Sequence, residues 1–301
     1  MLLKIKLRQL SLRSKIVFDE DYWSGCVSHF WRKHKESKLR IRKFAIQNPT
    51  IALKAFFGHL FIPRLTAELG QTRIGLTIKD VINRKILFGT VSLGFFGACV
   101  LHIPVNAADY SAGSSKQTLR RKVRAARKVG VTWRSVTDLV EQRALINTLH
   151  AYVPAKTRIR LEGNDWGGLV GSKSWTVGYG PDGQPLIIAV TPHDGQWAII
   201  DLFVTLGETQ IHSDARYYLT QVVVEKLSAS GVKYLLDTDS ANNLPAGLWH
   251  FQRMIGFKVA RVRVARSATK VDLQGSASKT YAYGPSTRHA VQSDVEMART
   301  S

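Results

Sequence analysis

The feature that most constrains the fold is an alternation of strand-like and helix-like patterns between residues 131 and 265. Short apolar or alternating runs, typical of strands, are separated by polar turns and by longer stretches with helical spacing. The predicted strands are 131–138, 174–180, 184–192, 197–208, 232–239 and 257–265, and the predicted helices are 139–154, 213–231 and 244–256. We therefore expect one domain that mixes strands and helices over residues 131–266.

A strongly basic segment precedes this domain. Residues 115–130 hold seven Lys or Arg and no acid. Ser114 or Ser115 can cap the start of a helix here, and Gly130 can end it. Its predicted apolar stripe consists of Leu119, Val123, Ala126 and Val129, and its predicted basic face of Arg120, Arg121, Arg124, Arg127 and Lys128. Like charges four residues apart repel each other, so a helix over 114–130 favours an anionic ligand.

The charge of the whole chain is uneven. Residues 1–130 carry 25 Lys and Arg against 7 Asp and Glu, a net of +18, whereas residues 131–301 carry a net of +3. A basic front half suggests RNA, DNA, an acidic lipid surface or a phosphorylated ligand as partner. A basic surface that only aids solubility is the alternative.

The front region, 1–113, is predicted to be mainly helical, with one exception. Residues 86–105 contain no Lys, Arg, Asp or Glu. Its length permits a membrane helix, but its glycines, Pro104 and β-branched residues favour two buried strands joined by a turn. Residues 267–301 are polar and Ser-rich, which predicts a flexible tail.

The cysteines and the N-terminal residues indicate the cellular compartment of the protein. Cys26 and Cys99 form no CxxC motif and have no suitably spaced His partners, so neither a metal site nor a disulfide framework is expected. The first 15 residues are too interrupted by charge for a secretory leader. These features favour a cytoplasmic protein with reduced thiols.

The element order resembles the GNAT superfamily of N-acetyltransferases. The segment GLWHFQRMIGFK (247–258) carries most of the resemblance, because Gly247, Leu248, Phe251 and Gly256 match a helix motif of the Fem-type and phosphatidylglycerol-lysyltransferase-like branch. The resemblance covers about half of the chain. It implies an α/β (α+β) fold with a mixed, mostly antiparallel sheet flanked by helices, and an acyltransferase activity that in this branch takes aminoacyl groups from tRNA.

Two positions depart from the pattern of that superfamily. The loop that cradles the acetyl-CoA pyrophosphate in its usual members corresponds here to GETQIHSDAR (207–216), which has only Gly207 and two acids. Gln252 replaces the Lys of the branch motif, and it can donate a hydrogen bond but supplies no charge. An acetyl-CoA cradle of the usual kind is therefore not expected.

Candidate site residues follow from acyl transfer, which needs a base for the acceptor proton. Asp201 interrupts an apolar run, Asp237 ends a predicted strand as in the Fem-type proteins, and His250 lies on the last helix. For each of these three, a structural role is the alternative. The predicted donor or phosphate ligands are Lys116, Arg120, Arg121, Arg124, Arg127 and Gln252, and the predicted pocket walls are Trp175, Tyr179 and Phe251.

Two functions remain open at the level of sequence. One is an acyltransferase that moves an acyl or aminoacyl group from aminoacyl-tRNA, or less favourably from acyl-CoA or a carrier phosphopantetheine, to an amine or hydroxyl. Its acceptor would be a small-molecule or peptide amine, with no metal and no tightly bound cofactor. The other is a non-catalytic protein on a GNAT-like scaffold that binds nucleic acid or an anionic membrane, and peripheral membrane contact is compatible with both.

Overall fold

The computed structural model describes residues 20–86, 89–152, 166–240 and 246–265. The helices are α1 (Glu20–Ser37), α2 (Ile41–Gln47), α3 (Pro49–Phe61), α4 (Arg73–Asn83), α5 (Leu93–Phe96), α6 (Gln117–Lys128), α7 (Leu139–Tyr152), α8 (Gln210–Ala229) and α9 (Ala246–Ile255). Short 3-10 turns cover Ala107–Ser111, Ser114–Lys116 and Trp166–Leu169. The predicted tail, 267–301, lies outside the described residues.

The strands of the described chain are short. They are β1 (Arg64–Ala67), β2 (Lys85–Ile86), β3 (Val91–Ser92), β4 (Ala98–His102), β5 (Thr132–Val136), β6 (Trp175–Tyr179), β7 (Pro185–Val190), β8 (His193–Asp194), β9 (Trp197–Ile200), β10 (Leu202–Thr205), β11 (Tyr234–Ser240) and β12 (Lys258–Val264). Between residues 131 and 265, the order of the longer elements agrees with the order predicted from sequence.

The chain divides into two compact units that alternate along the sequence. Among the described residues, the first contains those within 20–121, 191–201 and 220–265, and the second contains those within 122–190 and 202–219. The sequence pattern predicts consecutive regions. The difference arises because β1 and β4 of the front region share a sheet with β11 and β12.

The first unit contains a six-stranded sheet in the order β1-β12-β4-β11-β9-β8. The pairs β1–β12 and β9–β11 are parallel, and the other neighbours are antiparallel. Its core is apolar and includes Ile78, Leu93, Trp197, Leu236 and Val262.

The second unit contains a four-stranded antiparallel sheet in the order β10-β7-β6-β5. Its core includes Leu149, Trp175, Val177, Ile188 and Val190. The fold is therefore mixed α+β with mostly antiparallel sheets flanked by helices, as the resemblance implies.

The segment 86–105 differs from the predicted pair of strands. Its first half forms the two-residue hairpin β2–β3 and the one-turn helix α5, and only its second half, β4, is a strand of the large sheet. The Ser92 side chain accepts a hydrogen bond from Phe95 N and so begins α5. No helix in the described part of the chain is long and apolar enough to cross a membrane.

The apolar run 197–208 is predicted as one strand, which is wrong. It forms β9 and β10, separated by Asp201 alone. The split follows from hydrogen bonding, because β9 pairs in parallel with β11 whereas β10 pairs antiparallel with β7.

Helix α6 confirms the predicted stripe with one correction. Leu119, Val123 and Ala126 are buried, but Val129 is 47% exposed because the helix ends at Lys128. Gly130 then takes a left-handed conformation at φ 81°, and Val131 N bonds to Ala126 O at 3.0 Å, as in a Schellman motif.

Gly94 allows α5 to lie directly on β12. A Cβ at this position would lie 2.2 Å from Val262 O, so Gly94→Ala must push the backbone of α5 away from β12. This substitution should therefore lower the free energy of unfolding by about 1 to 3 kcal/mol. Urea denaturation measures the change. Gly25→Ala in α1 is the matched control, because its Cβ would meet nothing within 4 Å. Equal stability of the two variants would contradict the packing of α5 on β12.

Candidate active site

Two candidate carboxylates lie near the point where the pairing of β9 with β11 ends. In the parallel register of β9 and β11, Ile200 is opposite Asp237, and Asp201 is the next residue after Ile200. Both residues belong to the first unit. Asp237 is 7% exposed and Asp201 is partly buried. The two residues, each predicted separately from the sequence, are therefore one strand position apart in the register.

Gln252 on α9 is the hydrogen-bond partner of Asp237. Its Nε2 donates to the Asp237 carboxylate, and Asp239 N donates to Asp237 Oδ1 at 3.0 Å. Gln252 is 3% exposed, and its Oε1 has no hydrogen-bond partner within the described part of the chain. A buried amide oxygen in this state is an acceptor for an incoming N–H or O–H group.

Three residues of the front region surround the end of β11, and sequence reasoning missed all three. Cys99 on β4 is buried. Burial, and to a smaller extent the negative charges of Asp237 and Asp239, raises the pKa of its thiol. Arg84 donates a hydrogen bond to Thr238 O. Burial lowers the pKa of Lys35 on α1, and the charge of Asp239 opposes that shift. No local pattern marks these residues, because only the pairing of β4 with β11 brings the front region to this place.

His250 does not join this group. It lies two residues before Gln252 on α9, which is about 200° around a helix, and it is exposed while Gln252 is buried. Phe251 is 6% exposed and is part of the buried interior rather than an open wall.

The basic residues of the predicted helix divide into two groups. Lys116 Nζ donates to Ile255 O at the end of α9 at 2.5 Å and lies 4.6 Å from the centre of the Tyr110 ring. Arg120 Nη1 donates to the carbonyl oxygens of Ser111 and Gly113, each at 2.6 Å. These hydrogen bonds fix the start of α6 and the turn that precedes it. The exposed basic residues are Arg121, Arg124, Arg127 and Lys128.

A buried ion pair in the second unit was not predicted. Lys122 Nζ lies 2.8 Å from Asp214 Oδ1, and Gln210 Nε2 donates to the same oxygen at 2.8 Å. Asp214 is 5% exposed. Lys122 is therefore held by a carboxylate at the start of α8 and is not one of the exposed cations of α6.

The loop in place of a phosphate cradle is filled by a side chain. A Cβ built on Gly207 would lie 2.3 Å from Nε2 of His212, so the imidazole packs directly on the Gly207 backbone. His212 Nδ1 is 2.7 Å from Thr209 Oγ1, which fixes the ring. This close packing leaves no space over Gly207 for a pyrophosphate.

The remaining predicted pocket residues have internal partners. Trp175 is fully buried, and its Nε1 donates to Leu169 O at 3.0 Å, so the structure places it in the core instead of in a pocket wall. Tyr179 Oη donates to Glu141 Oε1 at 2.9 Å beneath Arg134, and burial raises its pKa to about 12. Among the described residues, His, Cys, Asp and Glu form no group of three or more that could hold a metal.

The fold is similar to parts of two solved structures. One is the C-terminal domain of a putative lysylphosphatidylglycerol synthetase from Agrobacterium fabrum, at 13% identity and a TM-score of 0.31, covering 46% of this chain and 45% of that one. The other is L-PGS from Bacillus licheniformis, at 11% identity and a TM-score of 0.34, covering 55% and 59%.

The chain thus spans about half the length of these structures. No family model and no curated protein matches it. Likeness at this level carries no argument about function, which must come from the residues themselves.

Gln252→Leu tests the bond to Asp237. The substitution removes a donor from a buried carboxylate, so the free energy of unfolding should fall by about 1 to 3 kcal/mol in chemical denaturation. The exposed neighbour supplies the control, since His250→Gln should change stability by less than about 0.5 kcal/mol. Equal effects of the two substitutions would show that the Gln252–Asp237 contact does not stabilise the fold.

Lys116 gives the stability a pH dependence. Burial, and to a smaller extent the charge of Lys258, lowers the pKa of Lys116 from 10.5 to about 8. Between those pH values the unfolded chain keeps a proton that the folded chain has lost, so this residue makes stability rise with pH. The free energy of unfolding of the wild type, minus that of Lys116→Met, should therefore become more positive from pH 8 to pH 10.5. A difference that stays constant, as expected for the exposed control Lys173→Met, would contradict burial of the ammonium.

Proposed function

We propose that the chain transfers an acyl or aminoacyl group from a phosphate-bearing donor to an amine or hydroxyl. The observation that carries the proposal is the end of the β9–β11 pairing, where Asp237 is opposite Ile200 and Asp201 is the next residue after Ile200. Carboxylates at this place can accept the proton of an attacking amine or hydroxyl. Gln252, whose Nε2 donates to the Asp237 carboxylate, would hold that group in position.

The proposed step is a substitution at the donor's acyl carbon. The acceptor nitrogen or oxygen forms a bond to that carbon, and the ester bond to the donor's ribose oxygen breaks. The acceptor proton passes to a carboxylate and then to the leaving ribose oxygen. We assign proton transfer to Asp201 or Asp237, and positioning of the Asp237 carboxylate to Gln252.

Aminoacyl-tRNA is favoured over acyl-CoA as the donor for two reasons. The net charge of +18 on residues 1–130 exceeds what CoA needs, and it suits a long polyanion. The loop at Gly207, where the superfamily binds pyrophosphate, is occupied by His212. The exposed Arg121, Arg124 and Arg127 of α6 are the proposed contacts to phosphate.

A specific observation favours a second function, a non-catalytic nucleic-acid-binding protein. Asp237 is buried and already accepts two hydrogen bonds, which also suits a purely structural carboxylate. In that case the exposed arginines of α6 would bind a polyanion without any transfer.

A transfer assay separates the two functions. The full chain is incubated with tRNA charged with labelled amino acids and with a mixture of amine and hydroxyl acceptors, and loss of the label from tRNA is compared with spontaneous hydrolysis. We expect accelerated loss, and a decrease of about 100-fold or more in Asp201→Asn or Asp237→Asn. Asp182→Asn, on an exposed turn, is the control. Bound but undepleted aminoacyl-tRNA would favour the non-catalytic function.

The salt dependence of tRNA binding tests the arginine face. Replacing Arg121, Arg124 and Arg127 with Gln should reduce the slope of log affinity against log salt by about 2 to 3, because fewer counterions are released. The control removes the same charge elsewhere, through Arg143→Gln, Lys173→Gln and Lys233→Gln, all of which are exposed. If both triple variants lower the slope equally, α6 is not the binding face.

A further inference from the structure

Helix α3 presents an apolar face to solvent. Its inner side, Ala55 and Gly58, is buried, and Gly58 lets α3 lie closely on α1, since a Cβ there would be 2.9 Å from Val27 and 3.0 Å from Trp23 O. The opposite side, which we call the outer face, consists of Leu53, Phe56, Phe57, Leu60 and Phe61.

The exposure of these side chains is large. Phe56 is 61% exposed, Leu53 is 58%, and Phe57, Leu60 and Phe61 are each above 40%. Ile46 on the neighbouring α2 is 78% exposed. A helix on the surface of a monomer ordinarily turns polar residues outward, and a contiguous apolar face of this kind marks a binding surface.

The charge around the outer face identifies its occupant. Between Ser37 and Ala67 the chain has no acid and six basic residues. Arg40, Arg42, Lys43 and Lys54, which flank the outer face in sequence, are all exposed. Exposed aromatic and aliphatic side chains in a stretch of sequence that has Lys and Arg but no acid are complementary to the surface of an anionic bilayer.

We infer that α2 and α3 dock the protein on an anionic lipid surface, with the outer face inserted among the acyl chains. Helix α3 has 13 residues, too few to span a bilayer, so it lies in the plane of the membrane surface. This inference does not rest on the proposed transfer reaction. It uses a different surface and predicts binding whether or not the protein is catalytic.

Sedimentation with vesicles of phosphatidylserine and phosphatidylcholine in equal parts tests the inference on the full chain. Binding should be strong, and it should fall by at least about 100-fold in Phe56→Gln/Phe57→Gln/Leu60→Gln, which removes apolar area but retains good helix formers. Arg42→Gln/Lys43→Gln should weaken binding by roughly tenfold or more and make it less sensitive to salt. Vesicles of phosphatidylcholine alone should bind much less protein.

The control keeps the apolar substitutions away from α3. Val105 and Val140 are 91% and 70% exposed, and Val105→Gln/Val140→Gln should leave vesicle binding unchanged. Circular dichroism and thermal unfolding of each variant check that it remains folded.

Three outcomes would overturn the inference. The wild-type chain fails to sediment with anionic vesicles, or the control and the Phe56/Phe57/Leu60 variant bind equally. In the third, the wild-type chain does not bind vesicles, and light scattering shows that it is a dimer whereas the Phe56/Phe57/Leu60 variant is a monomer. That result would assign the outer face to contact with a second copy of the chain. The transfer assay with soluble tRNA is read separately, so loss of docking and loss of catalysis are distinguishable.

Discussion

The parallel pairing of β9 with β11 is the constraint on which the site depends. The pairing ends at Ile200 and Asp237, and the chain bends at Asp201 before β10 pairs with β7. One apolar run thereby contributes to two sheets, and its break places Asp201 next to the last residue that pairs with β11. Ends of parallel strands are recurrent positions for binding and catalytic groups, because the ladder holds them rigidly.

Much of this arrangement could be predicted from sequence, and the reasons for failure are specific. Patterns of apolar spacing identified the helix and strand order after residue 131 and the buried stripe Leu119, Val123 and Ala126. They could not identify the split at Asp201, because β9 and β10 are both apolar and differ only in their partners. The contributions of Lys35, Arg84 and Cys99 were equally hidden, since strand pairing over more than 100 residues brings them to β11.

The basic residues serve two physical purposes that composition does not distinguish. Lys116 and Arg120 bind backbone carbonyls, and Lys122 neutralises the buried Asp214. Such charges are part of the fold, whereas the exposed cations lie at the surface of the described chain. On α6 these lie opposite a buried stripe, and around α3 they accompany exposed aromatic side chains. The exposed basic residues of α6 and those near α3 therefore form two separate surfaces, which we propose for donor phosphates and for lipid respectively.

The central claim, that group transfer occurs where β9 and β11 end, is tested most directly by photo-crosslinking. An aminoacyl-tRNA whose amino acid carries a photoreactive side chain is bound to the full chain, irradiated and digested, and the modified peptides are identified by mass spectrometry. The account predicts crosslinks in the peptides that contain Asp201 and the Asp237–Asp239 segment, and their loss when unlabelled aminoacyl-tRNA competes. Crosslinks confined to α6, or spread over the surface and insensitive to competitor, would contradict it.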